Sequence, residues 1–212
     1  MGIVDSCEVA QENSQTYIQI QQNKSSKLQK EDKVIENEII NIQNQQQQNR
    51  KKIYEVYQDG SIYNGQVING IRDGQGIFTY NEGGSYFVGE WKNGNIHGYG
   101  ILYYPNKQIA YEGEWQKNKF NGNGIVYNEK IKVIEFINYK NFDQIGDYWE
   151  KYEGKFQDDQ KEGLGIIKFS SGEKFVGNFK KDSANGTGVF YFKDGNIIIG
   201  NWVDNILQQE LI

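Results

Sequence analysis

The chain has one cysteine, one histidine, one proline and one methionine among 212 residues, and the scarcities exclude whole classes of protein. Cys7 alone cannot form an internal disulfide, which excludes a disulfide-stapled secreted domain and favours a reducing compartment. His97, far from Cys7, leaves no Cys/His zinc cluster and no spare residues for a Cys–His or Ser–His–Asp site. No apolar run reaches the roughly 18 residues of a membrane-spanning helix, and no basic, apolar-cored signal peptide opens the sequence. Positive charge is short too. With 23 Lys and Arg against 28 Asp and Glu, the net charge of −5 is the wrong sign for a nucleic-acid binder.

Glycine and aromatic residues are plentiful, and they are unevenly placed. Of 25 glycines and 30 aromatics, residues 1–50 hold only Gly2 and Tyr17. The remainder crowd into residues 51–212, a pattern of short strands and turns. The sequence therefore divides into a tail, residues 1–50, and an array, residues 51–212.

Gln and Asn supply 17 of the first 50 residues, too little apolar surface to offset the entropy of ordering, so the tail is expected to be mostly disordered or extended. One stretch resembles a short amphipathic helix: Ser26 and Gln29 form a capping-box pair, and Leu28, Ile35, Ile39 and Ile42 follow at helical spacing. It reads either as a docking helix or as a transient one, since a lone helix of about 15 residues is marginal in water. Met1-Gly2-Ile3-Val4-Asp5-Ser6 fits the pattern for myristoylation of Gly2, and Cys7 follows at once. One acyl chain gives only reversible membrane binding. No Lys or Arg precedes Lys24, so palmitoylation of Cys7 is the natural second anchor.

Within residues 51–212 the glycines fall into register. Gly65, Gly89, Gly113, Gly154 and Gly177 each open a unit, and a Gly-x-Gly pair starts nine residues later: Gly74/Gly76, Gly98/Gly100, Gly122/Gly124, Gly163/Gly165 and Gly186/Gly188. Gly200 opens a truncated sixth unit. The intervals are 24, 24, 41, 23 and 23 residues, so the third must hold something extra. Residues 131–147 carry strand-forming residues without the glycines and read as a degenerate, shortened repeat, with a loop insertion as the alternative. Tyr54 to Ser61 resembles the second half of a preceding unit.

Phe87, Gly89 and Trp91 alternate with Val88 and Glu90, and Gly100, Leu102 and Tyr104 repeat the logic on a second segment. Period two means strands, so each unit is a β-hairpin. Glycine normally weakens a strand, and its fixed recurrence predicts that aromatics of one hairpin pack over the bare glycines of the next. A lone hairpin is not stable, so the hairpins must stack into a continuous antiparallel all-β array.

Phe87-Val88-Gly89-Glu90-Trp91-Lys92-Asn93-Gly94-Asn95-Ile96-His97-Gly98-Tyr99-Gly100 resembles the Y-x-G-x-W-x-x-G-x-x-H-G-x-G signature of the membrane occupation and recognition nexus (MORN) repeat. The resemblance spans about residues 53–204, with Val67, Phe156 or Phe179 at the Trp position and Asp73, Asn121, Glu162 or Asn185 at the His position. It implies an elongated, twisted, single-layered sheet of hairpins with a groove. It also implies the company of ciliary scaffolds such as radial-spoke head components, junctional membrane tethers and lipid-kinase targeting modules.

Site-like features are few. His97 sits at a position other units fill with Asp, Asn or Glu, which points to holding a turn rather than to catalysis. The Gly-x-Gly pairs lack the third glycine of a nucleotide loop, and no Walker lysine occurs. Glu90, Glu112, Glu114 and Glu153 share the polar parity of their strands and read as a solvated face. No enzymatic activity, cofactor, metal or small-molecule substrate is expected, and the sequence leaves no room after the array for a catalytic domain. A single-layered sheet cannot bury both faces, so apolar surface should remain as a partner site. Trp91 and Trp115 on one parity, and Tyr103, Tyr127 and Tyr191 on the other with Ile77, Ile125, Ile166 and Val189, are the partner-binding candidates. The expected function is a non-enzymatic scaffold that holds a helix or extended segment of another protein within a multi-subunit ciliary or cytoskeletal assembly, such as the radial spoke of an axoneme, on the cytoplasmic side. The alternative is a membrane-associated adaptor held by lipids on Gly2 and Cys7. Residues 51–212 carry 18 basic and 21 acidic residues and lack the basic clusters that would attract anionic lipid.

Overall fold

The computed structural model describes residues 33, 35–37, 40, 49–81 and 83–211. The chain divides into two units, Met1–Asn49 and Arg50–Ile212. In the first, Lys33, Ile35, Glu36, Asn37 and Ile40 are helical, inside the stretch where a short helix is expected. Leu28, Ile39, Ile42, the acylation candidates Gly2 and Cys7, and the expected disorder of the tail lie outside the described residues.

Arg50–Ile212 builds one open antiparallel sheet of 13 strands in sequence order. The strands are β1 Lys51–Val56, β2 Ile62–Ile68, β3 Ile71–Thr79, β4 Tyr86–Lys92 and β5 Asn95–Tyr103. β6 Ile109–Gln116, β7 Lys119–Tyr127, β8 Trp149–Gln157 and β9 Gln160–Phe169 follow. β10 Lys174–Lys180, β11 Ser183–Tyr191, β12 Ile197–Val203 and β13 Ile206–Glu210 complete it. Six hairpins, β2–β3 through β12–β13, close on two-residue turns in which both residues have positive φ, from Asn69-Gly70 (51° and 80°) to Asp204-Asn205 (46° and 70°). This is the type I′ geometry whose twist matches that of the strands, and it explains why the turns are Asn, Asp and Gly rich.

The glycines form one line across the sheet. Gly65, Gly76, Gly89, Gly100, Gly113, Gly124, Gly154, Gly165, Gly177, Gly188 and Gly200 are register partners in succession. What fills the space above them differs from expectation. Phe87 folds back over Gly89 on its own strand and Gly100 on the paired strand, so the ring covers its own hairpin, not the next. Tyr63, Tyr111, Tyr152 and Phe175 do the same. The reason is reach: a ring two residues before a glycine shares its face and needs to bend only over the adjacent vacancy. The other glycine of each pair has a different task. Gly98 adopts φ 63° beside the register shift between Gly89 and Trp91, a conformation that a side chain would strain.

Residues 131–147 are not a degenerate repeat. β7 pairs directly with β8 through Gly124 and Gly154, so residues 128–148 are an insertion between them, with a single 3-10 turn at Phe142–Gln144. The insertion crosses the C-terminal hairpins, and Asn141 bridges to Ile206. Ile137 and Phe142 are buried in the same cluster as the aromatic rings of β8–β12.

Candidate docking faces of the array

One face of the sheet carries the rings. Tyr63, Trp91, Phe87, Trp115, Tyr111, Phe156, Tyr152, Phe179, Phe175 and Trp202 form an unbroken zigzag, each centroid 4.9–5.8 Å from the next. Every step is edge to face, the arrangement the aromatic quadrupole favours, and each is worth about 0.5–1.5 kcal/mol beyond area burial. The first ring of a hairpin covers its glycines, and the Trp-position ring of the next hairpin abuts it. Ring on ring, rather than ring on glycine, joins hairpin to hairpin.

Backbone clips add to this. The second turn residue of one hairpin bonds the preceding hairpin twice: the Asn118 N–H donates to the Ile96 carbonyl at 3.1 Å, and its Oδ1 accepts from the Ile96 N–H at 2.7 Å. Asp159 clips Phe120, Asp182 clips Lys161 and Asn205 clips Ala184 in the same way. At the first junction Gly94 has no side chain, and only its N–H reaches the Arg72 carbonyl. These Asn and Asp residues were passed over in the sequence, although their fixed spacing is a legible signal.

The clipped residue lies nine positions after the first ring of its unit and plugs the space among the rings. Arg72, Ile96, Phe120 and Lys161 are large, and Ala184 is small and fully buried. Phe120 stacks on Tyr111 at 3.7 Å. Lys161 lies 5.5 Å from the Tyr152 ring, and burial pushes its ammonium pKa down, against the pull of Asp182. The Arg72 guanidinium lies over Tyr57, Tyr63, Phe78 and Trp91 at 5.9, 5.7, 5.2 and 4.4 Å. Beside Ala184, Phe142 of the insertion takes the place, 5.8, 5.0, 6.3 and 6.0 Å from Phe169, Phe175, Phe190 and Trp202.

The insertion is tied down by polar contacts. Trp202 Nε1 donates to the Tyr139 carbonyl at 3.0 Å, the Ile137 N–H to Glu173 at 2.9 Å, and the Phe142 N–H to the Asn205 carbonyl at 2.9 Å. Glu173, a buried carboxylate, also accepts from the Ser171 hydroxyl at 2.8 Å. The ring face of the last hairpins thus already holds an irregular segment of chain, turned at Asn138–Asn141 and again at Phe142–Gln144.

The opposite face is more polar. Tyr103, Tyr127 and Tyr191 lie there on separate strands, each engaged: Tyr103 stacks on Tyr86 at 4.4 Å, Tyr127 donates to Glu112 at 2.6 Å, and Lys174 lies 4.2 Å over Tyr191. Tyr99, Ile125, Leu164 and Ile166 line a shallow depression of about 520 Å³ edged by Glu112 and Glu153. The other two candidates, Trp91 and Trp115, are buried at 4% and 6% exposure, as joints of the ring zigzag. His97 lies in β5 rather than in a turn. At the equivalent position Asp73 accepts from the Asn93 N–H and pairs with Arg50 at 2.7 Å, and Glu162 accepts from the Lys181 N–H, so side chains here do hold the next turn. Among the described residues, no three His, Cys, Asp or Glu side chains gather as metal ligands, and no described helix is long and apolar enough to cross a membrane.

Three of the covering rings are tyrosines whose hydroxyls donate to carbonyls: Tyr63 to Gln66, Tyr111 to Glu114 and Tyr152 to Lys155, at 2.7, 2.9 and 3.1 Å. Burial raises the pKa of Tyr63 to about 12 and raises those of Tyr111 and Tyr152 as well. The unfolded chain ionises them near pH 10 and the fold resists, so their contribution is whole below pH 10 and is lost as the pH climbs to 12 and beyond. Urea titrations across pH 8–12 should show stability falling steeply above pH 10, and Tyr111→Phe should flatten that fall. A slope unaltered by Tyr111→Phe would show that this hydroxyl is not protected.

A single open sheet of hairpins, joined ring to ring and clipped at their turns, defines a β-repeat protein. The family model for the MORN repeat matches residues 63–85, 87–109, 111–127, 152–174 and 175–197, more than half of the chain. The chain belongs to the MORN-repeat family, whose repeats are consistent with a protein-binding or membrane-associated adaptor role. A search of curated proteins gave no match.

Proposed function

We propose that this protein is a non-enzymatic scaffold whose array binds a segment of another protein, within a ciliary or cytoskeletal assembly such as the radial spoke of an axoneme. The observation that carries the binding reading is the insertion itself: an irregular segment of chain, held through its own backbone N–H and C=O groups and one ring anchor, already lies across the ring face of the array. The ciliary setting rests on membership of the MORN-repeat family alone, a family that includes ciliary scaffolds. Affinity purification of the native protein after chemical crosslinking tests both parts. The expected result is axonemal or cytoskeletal chains crosslinked to residues of 51–212. Recovery of the protein without crosslinked partners would contradict the scaffold, and exclusively non-ciliary partners would contradict the setting.

A second reading is favoured by Met1 to Cys7, where Gly2 and Cys7 would carry myristoyl and palmitoyl chains and hold an adaptor at the cytoplasmic side of a membrane. A Gly2→Ala variant should then move from the membrane fraction to the soluble one. Unchanged membrane association would remove this reading.

A further inference from the structure

We infer that the first ring cage of the array, bounded by Tyr57, Tyr63, Phe78 and Trp91, is the berth for a turned partner segment, shaped like the insertion at Ile137–Phe142, with the pattern aliphatic, any, aromatic, any, any, acidic. This rests on the scaffold reading and specifies its site and ligand chemistry.

The first and last cages occupy identical positions of the repeat. Tyr57 and Phe169 lie six residues before the first ring of their units, Phe78 and Phe190 lie fifteen after it, and Trp91 and Trp202 each stand next to last in the first strand of the following pair. The last cage is filled by the insertion, which shows what this geometry accepts. Phe142 enters the hole that Ala184 leaves, and the Trp202 indole N–H is satisfied by the Tyr139 carbonyl at 3.0 Å. In the first cage the equivalent indole, Trp91 Nε1, is buried and has no hydrogen-bond partner among the described residues. A buried donor left without a partner bears the cost of its lost hydration with nothing to offset it. An occupant's backbone carbonyl at the place of Tyr139 would satisfy it.

The anchor beside the cage is also reproduced. Ser171 and Glu173 hold the insertion through the Ile137 N–H, and the first cage has Asp59 and Ser61 at the same two positions with the roles exchanged, the Ser61 hydroxyl donating to Asp59 Oδ1 at 2.6 Å. One element differs. Where Ala184 leaves an apolar hole, Arg72 places a guanidinium over the four rings. The occupant's sixth position, Phe142 in the insertion, therefore meets a fixed positive charge, and a carboxylate suits it where a phenyl ring does not.

The test uses the full-length chain and a labelled synthetic peptide with the sequence of residues 134–145 carrying Phe142→Asp, followed by fluorescence anisotropy. Saturable binding is expected, about tenfold tighter than that of the unsubstituted peptide. Trp91→Phe, which keeps the ring and deletes the donor, should weaken it about fivefold, the factor for one hydrogen bond of about 1 kcal/mol. Arg72→Ala recreates the Ala184 hole and should reverse the preference, so that the unsubstituted peptide binds better. No binding to the wild-type chain, or affinities untouched by both variants, would overturn the inference. So would a wild-type preference for the unsubstituted peptide, which would mark the face as a site for another copy's insertion. If the peptide fails while native partners still crosslink to residues 51–212, the berth falls and the scaffold stands. Absence of any crosslinked partner takes the scaffold down first.

Discussion

Gly100→Ala should cost the array about 3 kcal/mol in urea titration, at the upper end of overpacking penalties. A Cβ at Gly100 would fall on the Phe87 ring and lie 3.2 Å from the Val88 carbonyl, so relief requires a fully buried ring to move. The same ring touches Trp91 at 5.7 Å and Trp115 at 5.2 Å, and its displacement breaks the zigzag in both directions. Phe87→Leu in the same chain removes the collision, so the double variant should lose less than the sum of the two single losses. Additive losses would show that the glycine is needed for its backbone and not for the ring above it.

Phe142→Ala should cost about 3–5 kcal/mol, because its ring is 3% exposed and faces four others. Ala184→Arg is the sharper experiment. It gives the last cage the plug of the first and leaves Phe142 no hole to enter. Hydrogen exchange should then accelerate at the Ile137, Phe142 and Leu207 amides, which are bonded to Glu173, the Asn205 carbonyl and the Lys140 carbonyl, while β2–β6 keep their protection. Retained protection at those three amides would mean that the polar ties alone hold the insertion, and the ring anchor would lose its assigned role.

The strands, their pairing order and the glycine line were legible because a spacing of nine and a parity of two repeat five times. The direction in which Phe87 bends was not, since both the same and the next hairpin offer a glycine on the correct face, and only side-chain reach decides between them. Residues 131–147 misled for a different reason. Their strand-forming composition matches the repeats, and what separates them from a hairpin is the pairing of Gly124 with Gly154, a contact across 30 positions. Ala184 was the readable clue. Four units place Arg72, Ile96, Phe120 and Lys161 at that position, and a fifth with alanine there announces a vacancy that another part of the chain must fill. The candidate rings were found by parity, but parity could not say that Trp91 and Trp115 are joints while Tyr99 and Leu164 are open surface, at 53% and 61% exposure.

The claim that partners dock on the ring face rather than on the depression opposite is tested most directly by hydroxyl-radical footprinting of the native complex, because the method reads side chains on each face separately. The partner should lower oxidation of Tyr57 and Phe78 and leave Tyr99 and Leu164 unchanged. Protection of Tyr99 and Leu164, with Tyr57 and Phe78 as reactive as in the free protein, would contradict it.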